Sequence, residues 1–121
     1  MIKQLYAVCL LVNDFEKSLA FYRDTLGLSL NSQDGKYADF KLGDTLLAIF
    51  QKDEATVMFS REHMGGGGGA VYAYQVKDVG EACKQLHKKR IEIFEGPKQV
   101  PWGQTVAYFK DPDGHIWEIT K

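Results

Sequence analysis

The side chains that most often carry chemistry are sparse in this sequence and poorly grouped. His63, His87 and His115 lie far apart. His63 precedes a glycine run, and His87 falls on the outer face of a helical stretch. His115 stands an odd step from Glu118, so strand alternation points the two to opposite faces. Cys9 and Cys83 form no Cys-x-x-Cys pair and no Cys/His cluster. Both read as reduced, buried small hydrophobes. The run Gly65 to Ala70 formally fits a dinucleotide fingerprint, but it precedes a strand instead of following one and opens no helix. A flexible joint is the expected role. Asp111-Pro112-Asp113-Gly114 resembles the start of a calcium loop without its later ligands or terminal glutamate, and it reads as a β-turn. Lys84, Lys88, Lys89 and Arg90 make a local basic patch on a solvated helix face.

Composition narrows the classes. Fifteen basic against 16 acidic side chains leave a formal net charge of -1, so no electrostatic excess draws the chain to nucleic acid or an anionic membrane. With 45% hydrophobic residues in 121, one ordinary globular domain is expected, with a core that needs no staple. No apolar run approaches the roughly 20 residues of a membrane span, and the start lacks a signal-type apolar core. A cytoplasmic protein is expected.

The elements that position these residues come in two similar sets. Val12-Asn13-Asp14 is echoed by Val76-Lys77-Asp78, an offset of 64 residues. In the first half, the strand-forming run Tyr6 to Val12 ends at Asp14, which can cap a helix whose inner face is Phe15, Leu19, Tyr22 and Leu26. Gly27 suits a left-handed cap. Strands follow at Leu28 to Asn31, Tyr37 to Leu42 and Thr45 to Gln51, parted by Asp34-Gly35 and Gly43-Asp44. In the second half, Val71 to Val76 leads to a capping box of Asp78 and Glu81, and a helix buries Val79, Cys83 and Leu86. Strands follow at Glu92 to Glu95, Thr105 to Lys110 and His115 to Thr120. The reading is α+β: two βαβββ modules, about 1–60 and 70–121, joined by glycines 65–69. Each helix covers one sheet face and leaves the other free to line a cleft.

Asp14 through Leu28 resembles the first helix of the vicinal oxygen chelate superfamily, which includes glyoxalase I, bleomycin-resistance proteins and extradiol dioxygenases. Pro101-Trp102-Gly103-Gln104 and Asp111-Pro112-Asp113-Gly114-His115-Ile116-Trp117-Glu118 are similar to its C-terminal signature, nearest to the bleomycin-resistance branch. The resemblance implies paired βαβββ modules, usually in a homodimer, around a cleft. It also implies four metal-ligand positions, one on each of four strands, which fall on Ala7, Ala48, Val71 and Glu118. Only Glu118 can ligate, so no metal and no other cofactor is expected.

Glu118 is therefore the one catalytic candidate, with ligand contact or a structural role preferred over catalysis. Alternation in this register turns Ala7, Cys9, Ala48, Phe50, Val71, Ala73, Gln75 and Glu118 toward the cleft, with Trp102 at its mouth and Trp117 facing away. A small-residue, mostly apolar lining suits a planar or aromatic small molecule, with Trp102 and Phe50 placed to stack. The leading expectation is a metal-free binding protein. A lyase, isomerase or dioxygenase acting through Glu118, with or without a divalent metal, is the alternative. A vestigial or regulatory domain is the third reading. Neither nucleic acid nor membrane is an expected partner.

Overall fold

The computed structural model describes residues 3–65 and 67–121; Met1, Ile2 and Gly66, one of the joint glycines, lie outside the described residues. The chain divides into two compact units, Met1–Gly65 and Gly66–Lys121. No helix among the described residues is long and apolar enough to cross a membrane.

In the first unit, strand β1 (Ala7–Val12) leads into helix α1 (Phe15–Ala20). Asp14 caps α1 through its carboxylate, which accepts from Lys17 N at 3.1 Å. A distant partner completes the cap: Gln51 accepts from Phe15 N at 2.8 Å and donates to Asn13 O at 2.6 Å. The expected single helix is shorter than its apolar spacing suggested. Beyond Ala20 it widens into a π-helical turn, Phe21–Thr25, and Leu26 is only half-buried. That widening seats both Phe21 and Tyr22 in the core, where a regular helix favours one. Gly27, at φ +72°, then reverses the chain.

Strands β2 (Leu30–Asp34), β3 (Tyr37–Leu42) and β4 (Thr45–Gln51) complete a mixed sheet ordered β1-β4-β3-β2. Its helix side is Leu10, Val12, Ala38, Phe40, Leu47 and Ile49, all buried, with the Tyr22 ring 6.2 Å from that of Phe40. Burying side chains of this size stabilises by about 1.5–3 kcal/mol each, which is why the half-helix docks firmly despite its shortness.

The second unit repeats the plan with β5 (Val71–Gln75), α2 (Val79–Lys88), β6 (Glu95–Gln99), β7 (Thr105–Lys110) and β8 (Ile116–Thr120), ordered β5-β8-β7-β6. Asp78 accepts from Glu81 N at 3.0 Å, as its place before the helix required. Val79, Cys83 and Leu86 are buried, and Tyr74, Phe109, Trp117 and Ile119 face them. The α+β class and the doubled βαβββ order are both as the sequence indicated.

Two strands are displaced from expectation. β2 begins at Leu30, two residues late, and β6 begins at Glu95 where the expected strand ended. Both are edge strands, exposed at every residue, and their register shifts between Leu30 and Ser32 and between Glu95 and Lys98. An exposed, bulged edge carries no inside–outside alternation to read.

Candidate functional site

Opposite residues in a sheet share a face, so strand register sorts every side chain into helix-facing or helix-free. In the first unit the helix-free face pairs Ala7 with Leu46, Cys9 with Ala48 and Leu11 with Phe50, and continues onto Tyr37, Asp39 and Lys41 of β3. Expected residues Ala7, Cys9, Ala48 and Phe50 therefore share one face. Their burial differs from expectation. Cys9 is exposed, not a buried hydrophobe, although the protein around it still pushes its thiol pKa up. Ala48 is only 2% exposed, so its methyl is packed by neighbours and does not front open space. The Phe50 ring meets Tyr37 edge-on at 5.8 Å.

In the second unit the helix-free face pairs Val71 with Ile116, Ala73 with Glu118 and Gln75 with Thr120. Val71, Ala73 and Gln75 are exposed. Trp117 turns to the helix side, buried with its ring 5.4 Å from Tyr72. Trp102 lies in the turn between β6 and β7, 71% exposed, and its indole N–H donates to Gln104 Oε1 at 2.9 Å.

Glu118 is half-buried and accepts a 2.6 Å hydrogen bond from the Tyr108 hydroxyl, directly across on β7. That bond, with some burial and the nearby negative charge, holds the Tyr108 pKa above its ordinary value. Next along the face, Thr120 Oγ1 is buried without a hydrogen-bond partner among the described residues. Sequence reasoning missed both. Only the strand register reveals that Tyr108 faces Glu118, and no sequence signal marks an orphaned hydroxyl.

A third missed feature lies on the first unit's face. Asp39 accepts from Tyr37 OH at 2.7 Å, Asn31 Nδ2 at 2.9 Å and Ser32 Oγ at 2.9 Å. Desolvation pushes its pKa up, but the three donors outweigh it and hold the carboxyl below its ordinary value. Tyr37 is pushed well above the usual phenol range by burial and by its bond to Asp39.

The four positions that the resemblance assigns to a metal do not fit one. Ala7, Ala48 and Val71 offer no donor atom, which leaves a single carboxylate, Glu118, where at least three protein ligands are needed. Elsewhere, Asp111, Asp113 and His115 bring three potential ligand atoms within 4.8 Å of one another. Asp111 already accepts there from Asp113 N at 2.9 Å and His115 N at 2.8 Å, and lies 2.7 Å from His115 Nδ1. These bonds close the β7–β8 turn, with Gly114 at φ +86°, and that is the turn the sequence indicated.

Residues 4–119 match the family model of the glyoxalase/bleomycin resistance protein/dioxygenase superfamily. The chain is 32% identical to the uncharacterized protein YraH of Bacillus subtilis, over 98% of each. It is 28% identical to the metallothiol transferase FosB of Staphylococcus saprophyticus, covering 98% of this chain and 77% of that protein. A glyoxalase-related enzyme from Fulvimarina pelagi shares the fold with a TM-score of 0.86 at 22% identity, covering 98% of this chain and 88% of that one.

Proposed function

The chain belongs to the glyoxalase/bleomycin resistance protein/dioxygenase superfamily, and from that premise we propose that it binds a planar or aromatic small molecule without a metal. One observation carries the reading. The helix-free face of the second unit sets a half-buried, hydrogen-bonded carboxylate, Glu118, directly across from the exposed methyl of Ala73, with Val71 and Gln75 exposed on the same strand. Glu118 would then favour a ligand with a donor or a cation. Trp102, exposed in the adjoining turn, would report binding by fluorescence.

The test is a calorimetric and fluorescence screen of planar aromatic compounds against wild type and Ala73→Phe. Ala73 is exposed, so the added ring fills the face without overpacking a core. Hits should lose at least tenfold in affinity on Ala73→Phe, roughly the 1.4 kcal/mol of a lost apolar contact. Equal binding by both proteins refutes this placement.

An enzymatic reading is favoured by the similarity to a transferase. Elemental analysis of protein purified without chelators separates the two: about one metal per chain, lost on Glu118→Ala, favours the enzyme. A homodimer accompanies the leading reading, because among the described residues β1, β2, β5 and β6 stand at the ends of their own sheets, where a second chain can pair. Sedimentation showing only monomer at micromolar concentration counts against it.

A further inference from the structure

We propose that the helix-free face of the first unit carries a site for an organic cation of the arylalkylammonium class, its ammonium received by the oxygens of Tyr37 and Ser32 above Asp39 and its ring lying against Phe50. This goes beyond the reading above, because residues of the first unit alone carry it.

The argument starts from a charge without a counter-charge. Asp39 is 5% exposed, and its three partners, Tyr37, Asn31 and Ser32, are all neutral. Buried carboxylates are ordinarily paired with a cation. Here no lysine or arginine forms an ion pair with it among the described residues, yet its pKa is lowered and the group stays charged.

Those partners form a shell of the right polarity. A hydroxyl that donates keeps its lone pairs, so Tyr37 and Ser32 retain acceptor capacity while polarised by the anion they bond. Ser32 and Asn31 are exposed, and Tyr37 is half-buried. The β2 bulge between Leu30 and Ser32 brings Asn31 and Ser32 together onto one carboxylate oxygen. Phe50, paired with Tyr37 across the strands and half-buried, supplies an apolar flank about one strand spacing, ~5 Å, from the shell. That separation suits an ammonium two carbons from an aromatic ring. The titratable and charged groups facing the cluster are Cys9 on β1, Asp34 on β2, Tyr37 and Lys41 on β3, and Tyr6 before β1; β4 contributes none.

A staple that merely ties β2 to β3 would be served nearly as well by a neutral amide, and the experiment turns on that difference. Calorimetry at pH 7 compares 2-phenylethylammonium with 2-phenylethanol on wild type, Asp39→Asn and, as a charge control, the exposed turn residue Asp44→Asn. Wild type and Asp44→Asn should prefer the ammonium by about tenfold, the difference between charged and neutral hydrogen bonds. Asp39→Asn should bind both compounds alike. Carboxyl 13C titration of wild type supplies a readout that needs no variant to fold: saturation with 2-phenylethylammonium should move the Asp39 midpoint to lower pH, and 2-phenylethanol should not. Failure of the ammonium to bind, equal binding of both compounds by wild type, or a preference that survives Asp39→Asn overturns the proposal. A preference lost in Glu118→Gln and kept in Asp39→Asn also overturns it, while leaving the reading of the second unit intact.

Discussion

Removing the Tyr108 hydroxyl tests whether Glu118 is a tethered structural group or one available to a ligand. The bond is 2.6 Å long to a carboxylate oxygen, and hydrogen bonds to charged groups are worth about 1.5–3 kcal/mol when desolvated. Both partners are half-buried, so water replaces part of what is lost, and a coupling of about 1 kcal/mol is expected. The measurement is a double-mutant cycle of Tyr108→Phe and Glu118→Gln by urea unfolding, followed through the buried Trp117. Tyr108 supplies a second signature through its raised pKa. A raised pKa in the folded state gives stability that is complete below the unfolded phenol value, about 10, and lost as pH rises through the folded one. Wild type should therefore lose stability above about pH 10 more steeply than Tyr108→Phe. In the binding screen, Tyr108→Phe frees the carboxylate, so ligands carrying a donor should bind it at least as tightly as wild type. Ligands should bind Glu118→Gln more weakly. A coupling within about 0.3 kcal/mol of zero, together with an unaltered alkaline limb, refutes the tether.

Thr120→Val should be neutral or stabilise the protein by up to about 1 kcal/mol, since it removes an orphaned buried hydroxyl; thermal unfolding checks it. In Gly67→Ala the new Cβ would sit 2.5 Å from the Gly114 carbonyl carbon, so a loss of about 1–3 kcal/mol is expected. Gly69→Ala, with nothing within 4 Å, should change urea stability by less than about 0.5 kcal/mol. Equal values for the two would mean that Gly67 does not approach the turn. The lowered pKa of Asp39 gives stability present at neutral pH and lost as pH falls below about 3.9 through the folded value, so acid unfolding should be less steep in Asp39→Asn.

What was legible in the sequence was local. Asp14 and Asp78 cap their helices, and Gly27, Gly35, Gly43 and Gly114 hold the positive φ that their turns demanded. These signals need no knowledge of distant contacts. Alternation along β8 turns Glu118 and Trp117 to opposite faces, with Trp117 against Tyr72 on the helix side. What stayed hidden depends on which strands lie side by side. The Gln51 clasp on α1 spans 36 residues, and Tyr108 meets Glu118 only through the β7–β8 register. Asp39 lies on β3, which is not among the strands on which the resemblance places ligand positions, so no motif marks it. Its alternation with Tyr37 and Lys41 was the available clue.

The register also bears on the chain's ancestry. Matching the sheets strand for strand sets Ala48 against Glu118 and Asp39 against Tyr108, since each pair holds the same place in the ladder. A gene segment doubled without later change would carry the same two side chains in both copies. Here the acid sits on the third strand of one half and on the fourth strand of the other. Each half retains a tyrosine hydroxyl bonded to a carboxylate, but it is assembled from different rungs. The copies are thus no longer interchangeable. A chimera that replaces the first half with a second copy of the later one would keep the architecture and erase the Asp39 shell. Transplanting Tyr at 39 and Glu at 48 would redraw the first half in the image of the second.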